Sequence, residues 1–540
     1  MRRWRILDRP LAVWLVPVCL FVGVFLVTAG TLSDYGLAWD EPDYFRASDL
    51  EIQWLADFAR NLFHGRVAES LHDEVVTKAW RWDPYHVAHP PLSRILSGLS
   101  KTLLSPNLDK FVAYRLPAAL LFALLVPVLY LWMAELFDRK TGLFAAAAAV
   151  LMPNLFGYAH FALTDMPLAV LWFLTVYCFW KGLASCKWSI ALGVVWGLAL
   201  ATKFPAVAIP IPLLLWAHLY HRQSYHNNVF AMVFLSPVVM VGSQPYLWRQ
   251  TLARLSMFVY ESVSRGFRPE TNFWIFFQNE MHFSDALPWY YPFFMTAVTL
   301  PEALLALALL GIVALFWLGP QRNVMVLYLL NAAVILGMGL LPGAVLHDVN
   351  RLMLPALPFL AGLAGCGFYA FVRFLTERAQ RASALQGIEN PQTKLGASLF
   401  LLAVFPSALA LLVYHPYELS YYNGLVGGVR GAYQSGLEVT YLMEAFTPEF
   451  LGRLNKELPA HAAINASFSN FMFKYYQREK RLRPDIRITS ERDYDYYLLL
   501  NRRSGFSLRD RAIVAAGPTY VAWEFDGVPL VLMTGKKSIR

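Results

Sequence analysis

The chain has 540 residues, of which 57% are hydrophobic and 15% charged, with a mean hydropathy of +0.42. A soluble globular chain carries about 25% charged residues, so an ordinary soluble enzyme is excluded, as is a disordered chain, which needs low hydrophobicity and high charge. Four cysteines and a net charge of +9 exclude a disulfide scaffold and raise the question of nucleic acid. The basic residues gather in short loops between apolar runs, which is the signature of membrane topology and not of nucleic-acid binding.

A membrane span needs about 20 apolar residues. The first runs from Leu11 to Thr28, after a basic stretch that predicts a cytoplasmic N-terminus. Residues 31–110 are polar and mixed, with amphipathic patches such as Leu50–Phe63, and predict a long outer loop with helices on the membrane surface. Further spans are expected at 112–131, 142–159, 166–180, 189–202, 206–219, 228–243, 293–318, 324–341, 352–372 and 397–414. Residues 245–290 form a second long outer loop, and Arg373–Lys394 a charged inner one. The expectation is an α-helical polytopic membrane protein with about eleven transmembrane helices, because the basic short loops alternate with the long polar segments.

Residues 415–540 are soluble in composition. Strands are expected at Ala462–Ser467, Asp485–Thr489 and Tyr494–Leu500, and a helix at Asn470–Arg481. Tyr520–Phe525 and Val528–Thr534 flank Asp526-Gly527, a pair that favours the tight turn of a hairpin. The chain thus divides into a transmembrane domain over 1–414 and a small extracytoplasmic α/β domain over 415–540.

Trp39-Asp40-Glu41-Pro42-Asp43 sits at the outer end of the first span. Adjacent acids at a membrane face are costly unless solvated or used. They read as a solvated helix end, or as a general base or metal ligand. His89-Pro90-Pro91-Leu92 follows in the same loop, where two prolines fix the backbone and hold the imidazole in place. Asp165 in Thr-Asp-Met-Pro-Leu is either a helix N-cap or an acid at the mouth of a span. Arg115, Lys203 and Arg351, with His347 beside the last, are cations at outer helix ends. They either snorkel or bind a buried phosphate. Gly-rich phosphate loops and Gly-x-Ser-x-Gly are absent, so ATP-driven transport and serine-hydrolase chemistry have no support.

Asp40-Glu41, then His89-Pro90-Pro91-Leu92, then Arg115 in Tyr-Arg-Leu-Pro-Ala-Ala-Leu resemble the protein O-mannosyltransferases. They are also similar to the bacterial lipid A aminoarabinose transferases, and both groups are GT-C membrane glycosyltransferases. Asp165 looks like the family's second acidic site. His415-Pro416-Tyr417-Glu418-Leu419-Ser420-Tyr421-Tyr422-Asn423 is similar to a segment of bacterial members. The resemblance covers about residues 10–430. The aminoarabinose transferases place Lys, preceded by Glu, before the two prolines, where this chain has His89 and Ala88.

The resemblance implies a GT-C fold and a transferase in the bacterial inner membrane. It would move a sugar from a polyprenyl-phosphate donor to a hydroxyl on an acceptor lipid, glycan or protein at the outer face. In that reading Asp40 is the base, with Glu41 and Asp165 orienting the acceptor. Arg115, Arg351 and His89 serve the donor phosphate. A divalent metal is compatible, with Glu41, Asp165 and His347 as candidate ligands. A lipid or sugar transporter and a scaffold subunit of an envelope complex are the alternatives.

Overall fold

The computed structural model describes residues 14–81, 89–268, 272–348, 350–381, 391–516 and 520–535. The basic N-terminal stretch, the start of the first expected span and residues 382–390 of the expected inner loop lie outside the described residues. The described chain is mostly helical, with a small sheet near its C-terminal end. Among the described residues, three helices are long and apolar enough to cross a membrane by length and composition: Lys110–Leu136, Leu354–Arg381 and Lys394–Tyr414. Shorter apolar helices are Leu15–Thr31, Cys186–Leu200, Phe204–Tyr220, His226–Gly242, Glu302–Ala314 and Arg322–Met338.

Lipid tails are as apolar as leucine, so helices inside a bilayer are held by close packing. Glu302–Ala314 and Leu357–Arg381 cross at paired glycines. A Cβ on Gly311 would lie 2.0 Å from the Leu363 carbonyl oxygen, and one on Gly367 would lie 1.9 Å from that of Leu307. No other residue fits that crossing. Asp165–Gly182 runs through the middle of the bundle, where Trp172 donates to Asn331 Oδ1 at 3.0 Å. The helix ending at Tyr414 is the opposite case: Leu402, Phe405 and Leu412 on it are 70%, 69% and 76% exposed. Such a row of large apolar side chains on one helix is matched to lipid.

The expected span at 293–318 is corrected to two helices, Tyr291–Val298 and Glu302–Ala314. The cause is local. Pro301 has no N–H to continue the helical ladder. Carbonyls left at the break are taken by Asn423, whose Nδ2 donates to Ala297 and Leu300 at 2.7 Å each, while its N–H donates to Val298 at 2.8 Å. Residues 142–159 likewise divide into Arg139–Val150 and Pro153–Tyr158, with Pro153 opening the second piece.

The two long polar loops carry structure that composition only hinted at. The first holds the amphipathic helices Glu41–Phe63 and Leu92–Leu104, packed on each other. The second holds Thr251–Ser264 and a hairpin of β1 (Trp274–Phe277) and β2 (Glu280–Phe283). The C-terminal sheet contains β3 (Ala463–Asn465), β4 (Arg487–Ile488), β5 (Tyr496–Leu500), β6 (Tyr520–Phe525) and β7 (Val528–Gly535), in the order β4-β3-β5-β7-β6. β3 runs parallel to β4 and β5, and β7 antiparallel to β5 and β6. Helix Asn470–Arg478 and helix Pro448–Glu457 bury apolar faces beside it.

His415 joins this tail to the end of the first helix. Its Nδ1 lies 2.9 Å from Glu418 Oε1 and its Nε2 3.0 Å from Asp34 Oδ2. Tyr35 Oη and the stacked pair Tyr35–His160 lie beside it, with Arg115 farther off. With a carboxylate at each ring nitrogen, the hydrogen bond to Glu418 first of all pushes the imidazole up to about 9. Glu418 itself is raised by burial and drawn down by His415, and the two are held as an ion pair. A histidine raised in the folded state contributes stability that is complete below about pH 6.5 and lost as pH rises through about 9. The melting temperature of the purified protein should therefore fall across that alkaline window, and His415→Asn should flatten the slope. Parallel slopes for the two proteins would remove His415 from the effect.

Candidate active site

Asp40 and Glu41 are neighbours in sequence and opposite in environment. Glu41 opens the helix Glu41–Phe63 and is fully buried. Its Oε1 accepts from Arg115 Nε at 2.8 Å and from the Ala162 N–H at 2.9 Å. Its Oε2 accepts from Arg115 Nη2 at 2.6 Å and from the Ala38 N–H at 2.9 Å. Arg115 gives its other N–H groups to the carbonyls of Leu32, Tyr35 and Gly36, at 3.1, 3.1 and 2.7 Å. A guanidinium has five donors, and all five are used. The geometry gives no support to the expected roles of Arg115 on a phosphate and of Glu41 in catalysis or metal binding, since the bonds of both side chains are made inside the protein. The pair is a buried knot that folds residues 32–41 against helix Lys110–Leu136 and the Ala162 turn.

Asp40 points elsewhere. It occupies the N-cap position of its helix, yet its side chain caps nothing. Its Oδ2 accepts from Arg351 Nη2 at 2.5 Å, and the side chain keeps 31% exposure against 5% for Arg351. Arg351 also donates from Nε to Asp165 Oδ2 at 3.1 Å and from Nη1 to Asp348 Oδ2 at 3.3 Å. Asp165 receives Lys203 Nζ on its other oxygen at 2.6 Å. The cap position before helix Asp165–Gly182 belongs to Thr164, so Asp165 is spent on the two cations and not on a cap. Asp40, Asp165 and Arg351 therefore come together, and Lys203 joins them. Of the carboxylates around Arg351, Asp40 is the one open to solvent; Asp165 is 1% and Asp348 2% exposed.

His89 faces this cluster. Burial lowers its pKa well below the usual imidazole value, and the charges of Lys203, Arg265 and Arg351 lower it further. It is a neutral ring among cations, able to offer one N–H to an anion but no charge. Arg94 fixes it by donating to its carbonyl at 2.8 Å, and Arg94 is itself held by Glu51 through Nε at 2.8 Å and Nη2 at 2.6 Å. A cavity beside His89 is walled by Pro91, Arg94, Tyr246 and Phe258. Tyr44, one turn along from Asp40, lies within electrostatic reach of Asp40, Arg351 and Asp165. Arg265, from the second long polar loop, lies within electrostatic reach of Tyr44, Arg351 and Asp40.

Glu41, Asp165 and His347 do not form a metal cage. Among the described residues no three His, Cys, Asp or Glu side chains converge as ligands. His347 Nδ1 lies 3.4 Å from Asp348 Oδ2 and its ring packs edge-on against Phe273. Asp348, Arg265, Tyr44 and Arg502, whose Nη2 lies 3.0 Å from Asp348 Oδ1, were not foreseen from sequence. An acid three residues before Arg351 was the available signal for Asp348; nothing in sequence places Arg502 here.

The two acids should fail differently on substitution. Removing one member of a buried ion pair typically costs about 3–5 kcal/mol. Glu41→Ala and Arg115→Met should each lower the melting temperature of the purified protein sharply, while Asp40→Asn should leave it nearly unchanged. Equal melting losses at positions 40 and 41 would overturn this division.

Residues 88–248 match the model of the dolichyl-phosphate-mannose-protein mannosyltransferase family. No curated protein matches the chain in sequence. Among solved structures, ArnT from Cupriavidus metallidurans bound to undecaprenyl phosphate is 14% identical, covering 97% of this chain and 98% of that one, at a TM-score of 0.49. Its apo state is 16% identical, covering 96% and 97%, at 0.47. The oligosaccharyltransferase of Archaeoglobus fulgidus is 11% identical, covering 85% of this chain and 59% of that one, at 0.44. The matched segment runs from the residue before His89 through Arg115, Asp165 and Lys203. Over residues 88–248 the chain is similar to the dolichyl-phosphate-mannose-protein mannosyltransferase family.

Proposed function

We propose that the chain is a membrane glycosyltransferase that moves a sugar from a polyprenyl-phosphate donor to a hydroxyl of an acceptor lipid, glycan or protein. The observation that carries this reading is the pairing of an open carboxylate with a set of buried cations. Asp40 is partly exposed and anchored at one oxygen by Arg351, while Lys203 and Arg351 stand at 1%-exposed Asp165. The matched family's description names a sugar carried on dolichyl phosphate, which supports the donor class.

In this reading Asp40 takes the proton from the acceptor hydroxyl. The acceptor oxygen then bonds to the anomeric carbon as the bond from that carbon to the phosphate oxygen breaks. The phosphate leaves on the polyprenyl chain with an added negative charge. Lys203, Arg265 and Arg351 answer that charge electrostatically, and the neutral His89 adds one N–H. Arg115 has no part in it. A divalent ion does not fit between Asp40 and Asp165, because the Arg351 guanidinium already bridges them.

We place the Asp40 site on the outer face of a bacterial inner membrane, with the N-terminus cytoplasmic. The support is the basic Asp138-Arg139-Lys140 turn set against the long polar segments. Reporter fusions at Lys140 and Gly505 should read cytoplasmic and external respectively; two fusions reading the same side would reject this orientation.

Turnover is tested with the purified chain and a panel of polyprenyl-phosphate sugars, following release of polyprenyl phosphate. Asp40→Asn should lower turnover about 10²–10⁴-fold, the usual worth of a positioned base, with donor binding changed far less. Wild-type-like turnover in the folded variant would remove Asp40 from the chemistry. Transport of the labelled donor without release of polyprenyl phosphate would reject the transferase.

A further inference from the structure

The tail reaches into the centre through one side chain. Arg502, 6% exposed, follows β5 and comes from about 150 residues beyond Arg351 in the chain. Its Nη2 lies 3.0 Å from Asp348 Oδ1, on the side of that carboxylate away from Arg351. Its guanidinium sits over the Trp39 ring, 5.0 Å from the centroid. Trp39 is the residue before Asp40, and its N–H donates to the Leu442 carbonyl of the tail at 2.9 Å.

Arg502 is itself held firmly. Its Nη1 donates to the Tyr441 carbonyl at 2.5 Å. The buried Glu438 carboxylate accepts the next two backbone N–H groups, from Arg503 at 2.9 Å and Ser504 at 2.6 Å. Glu444 accepts the N–H groups of Tyr441 and Leu442 at 3.1 and 2.6 Å. This scaffold fixes the guanidinium between Trp39 and Asp348, so one cation touches the neighbours of both Asp40 and Arg351.

We infer that Arg502 is a positioning residue for the Asp40 centre: by compensating Asp348 and covering Trp39, it keeps the Arg351 guanidinium shared with Asp40. The inference rests on the reading of Asp40 as the base. The physical argument is competition. Arg351 has three carboxylate partners, and a buried carboxylate without its own counter-charge attracts the nearest cation strongly. Burial alone would raise the Asp348 carboxyl, but Arg502, the largest of the opposing influences, brings it below the usual carboxylate range. Without Arg502, Asp348 must be answered by His347 and Arg351. Arg351 would then move toward Asp348, and the charged form of Asp40 would lose its partner. The groups facing position 40 are Arg351, Tyr44 and Arg265, with Asp165 and Lys203 beyond Arg351. Those facing Asp348 are Arg502, His347, Arg351, Tyr158, Tyr291 and Glu444.

Two readouts on the full chain separate this inference from the transferase reading. In the first, Cys19, Cys178, Cys186 and Cys366 are replaced by serine or alanine and Asp40→Cys introduces a thiol. The pH dependence of its alkylation by iodoacetamide reports the cation beside it. With Arg502 present the thiol pKa should lie below the ordinary value of about 8.5. Arg502→Met should raise it by roughly one unit, a tenfold loss of reactivity at low pH. Adding Asp348→Asn to Arg502→Met should bring it back, and Arg502→Lys should hold most of the wild-type value. In the second readout, with Asp40 intact, Arg502→Met should move the acid limb of the kcat profile upward while KM for the donor changes little. Alkylation profiles that do not respond to Arg502→Met overturn the inference, whatever turnover does. If Arg502→Met does not fold, Arg502→Gln takes its place, keeping a polar stem without the charge: its thiol pKa should lie above that of Arg502→Lys, and equal profiles for those two overturn the inference as well. A responsive thiol in a protein that releases no polyprenyl phosphate upholds the positioning of Arg351 and rejects the transferase reading.

Discussion

A guanidinium shared among three carboxylates is the constraint around which this end of the molecule is arranged. Arg351 reaches Asp40 from the first loop, Asp165 from a helix through the bundle, and Asp348 from its own turn. Buried charges are tolerated only when nearly every one is answered. Arg351 alone cannot answer three carboxylates, so Lys203 is brought to Asp165 and Arg502 to Asp348. Each added cation comes from a different part of the chain. The cluster therefore forms only when the first loop, the bundle and the tail are all in place.

Burial divides the work of the adjacent acids. Glu41 makes four hydrogen bonds inside the protein and has no access to water. Asp40 makes its bond to Arg351 at the rim of the same helix and keeps partial exposure. The proton acceptor proposed at Asp40 must reach its substrate, whereas a structural carboxylate such as Glu41 needs no opening. One residue step at a helix start separates the two conditions, because successive side chains leave a helix about 100° apart.

Helix positions were legible in the sequence wherever an apolar run had a polar boundary, as at Lys110–Leu136 and Arg322–Met338. The tail's β3, β5 and the hairpin of β6 and β7 were legible too, because alternation and an Asp-Gly turn are local signals. The break at Pro301 was missed, since the apolar run continues through it and its stabilising partner, Asn423, lies 122 residues away. For the site, acid and base residue types at loop ends were visible; their pairing was not. Arg115 and Arg351 look alike in sequence, each beside a span. One turned out to be saturated by Glu41 and three carbonyls, and the other to be shared at an open rim. That difference is a matter of which distant groups arrive, and no local pattern encodes it.

The same logic explains why the tail is pressed so closely on the first loop. A Cβ on Gly36 would lie 2.6 Å from the Phe446 carbonyl oxygen, so the backbone there touches the tail directly. Leu37 donates its N–H to Tyr476 Oη at 2.8 Å, and Trp39 donates to Leu442. These contacts run through residues 36–39 and stop at Asp40. A carboxylate that is to stay charged, half open and aligned cannot be held by hydrogen bonds to itself without being consumed, as Glu41 is. It can be held by fixing the backbone that precedes it and the cation that faces it. The tail supplies the first through Tyr476 and Leu442 and reaches the second through Arg502 and Asp348, leaving the carboxylate of Asp40 partly open at the rim, where the proposed reading needs it to meet a hydroxyl.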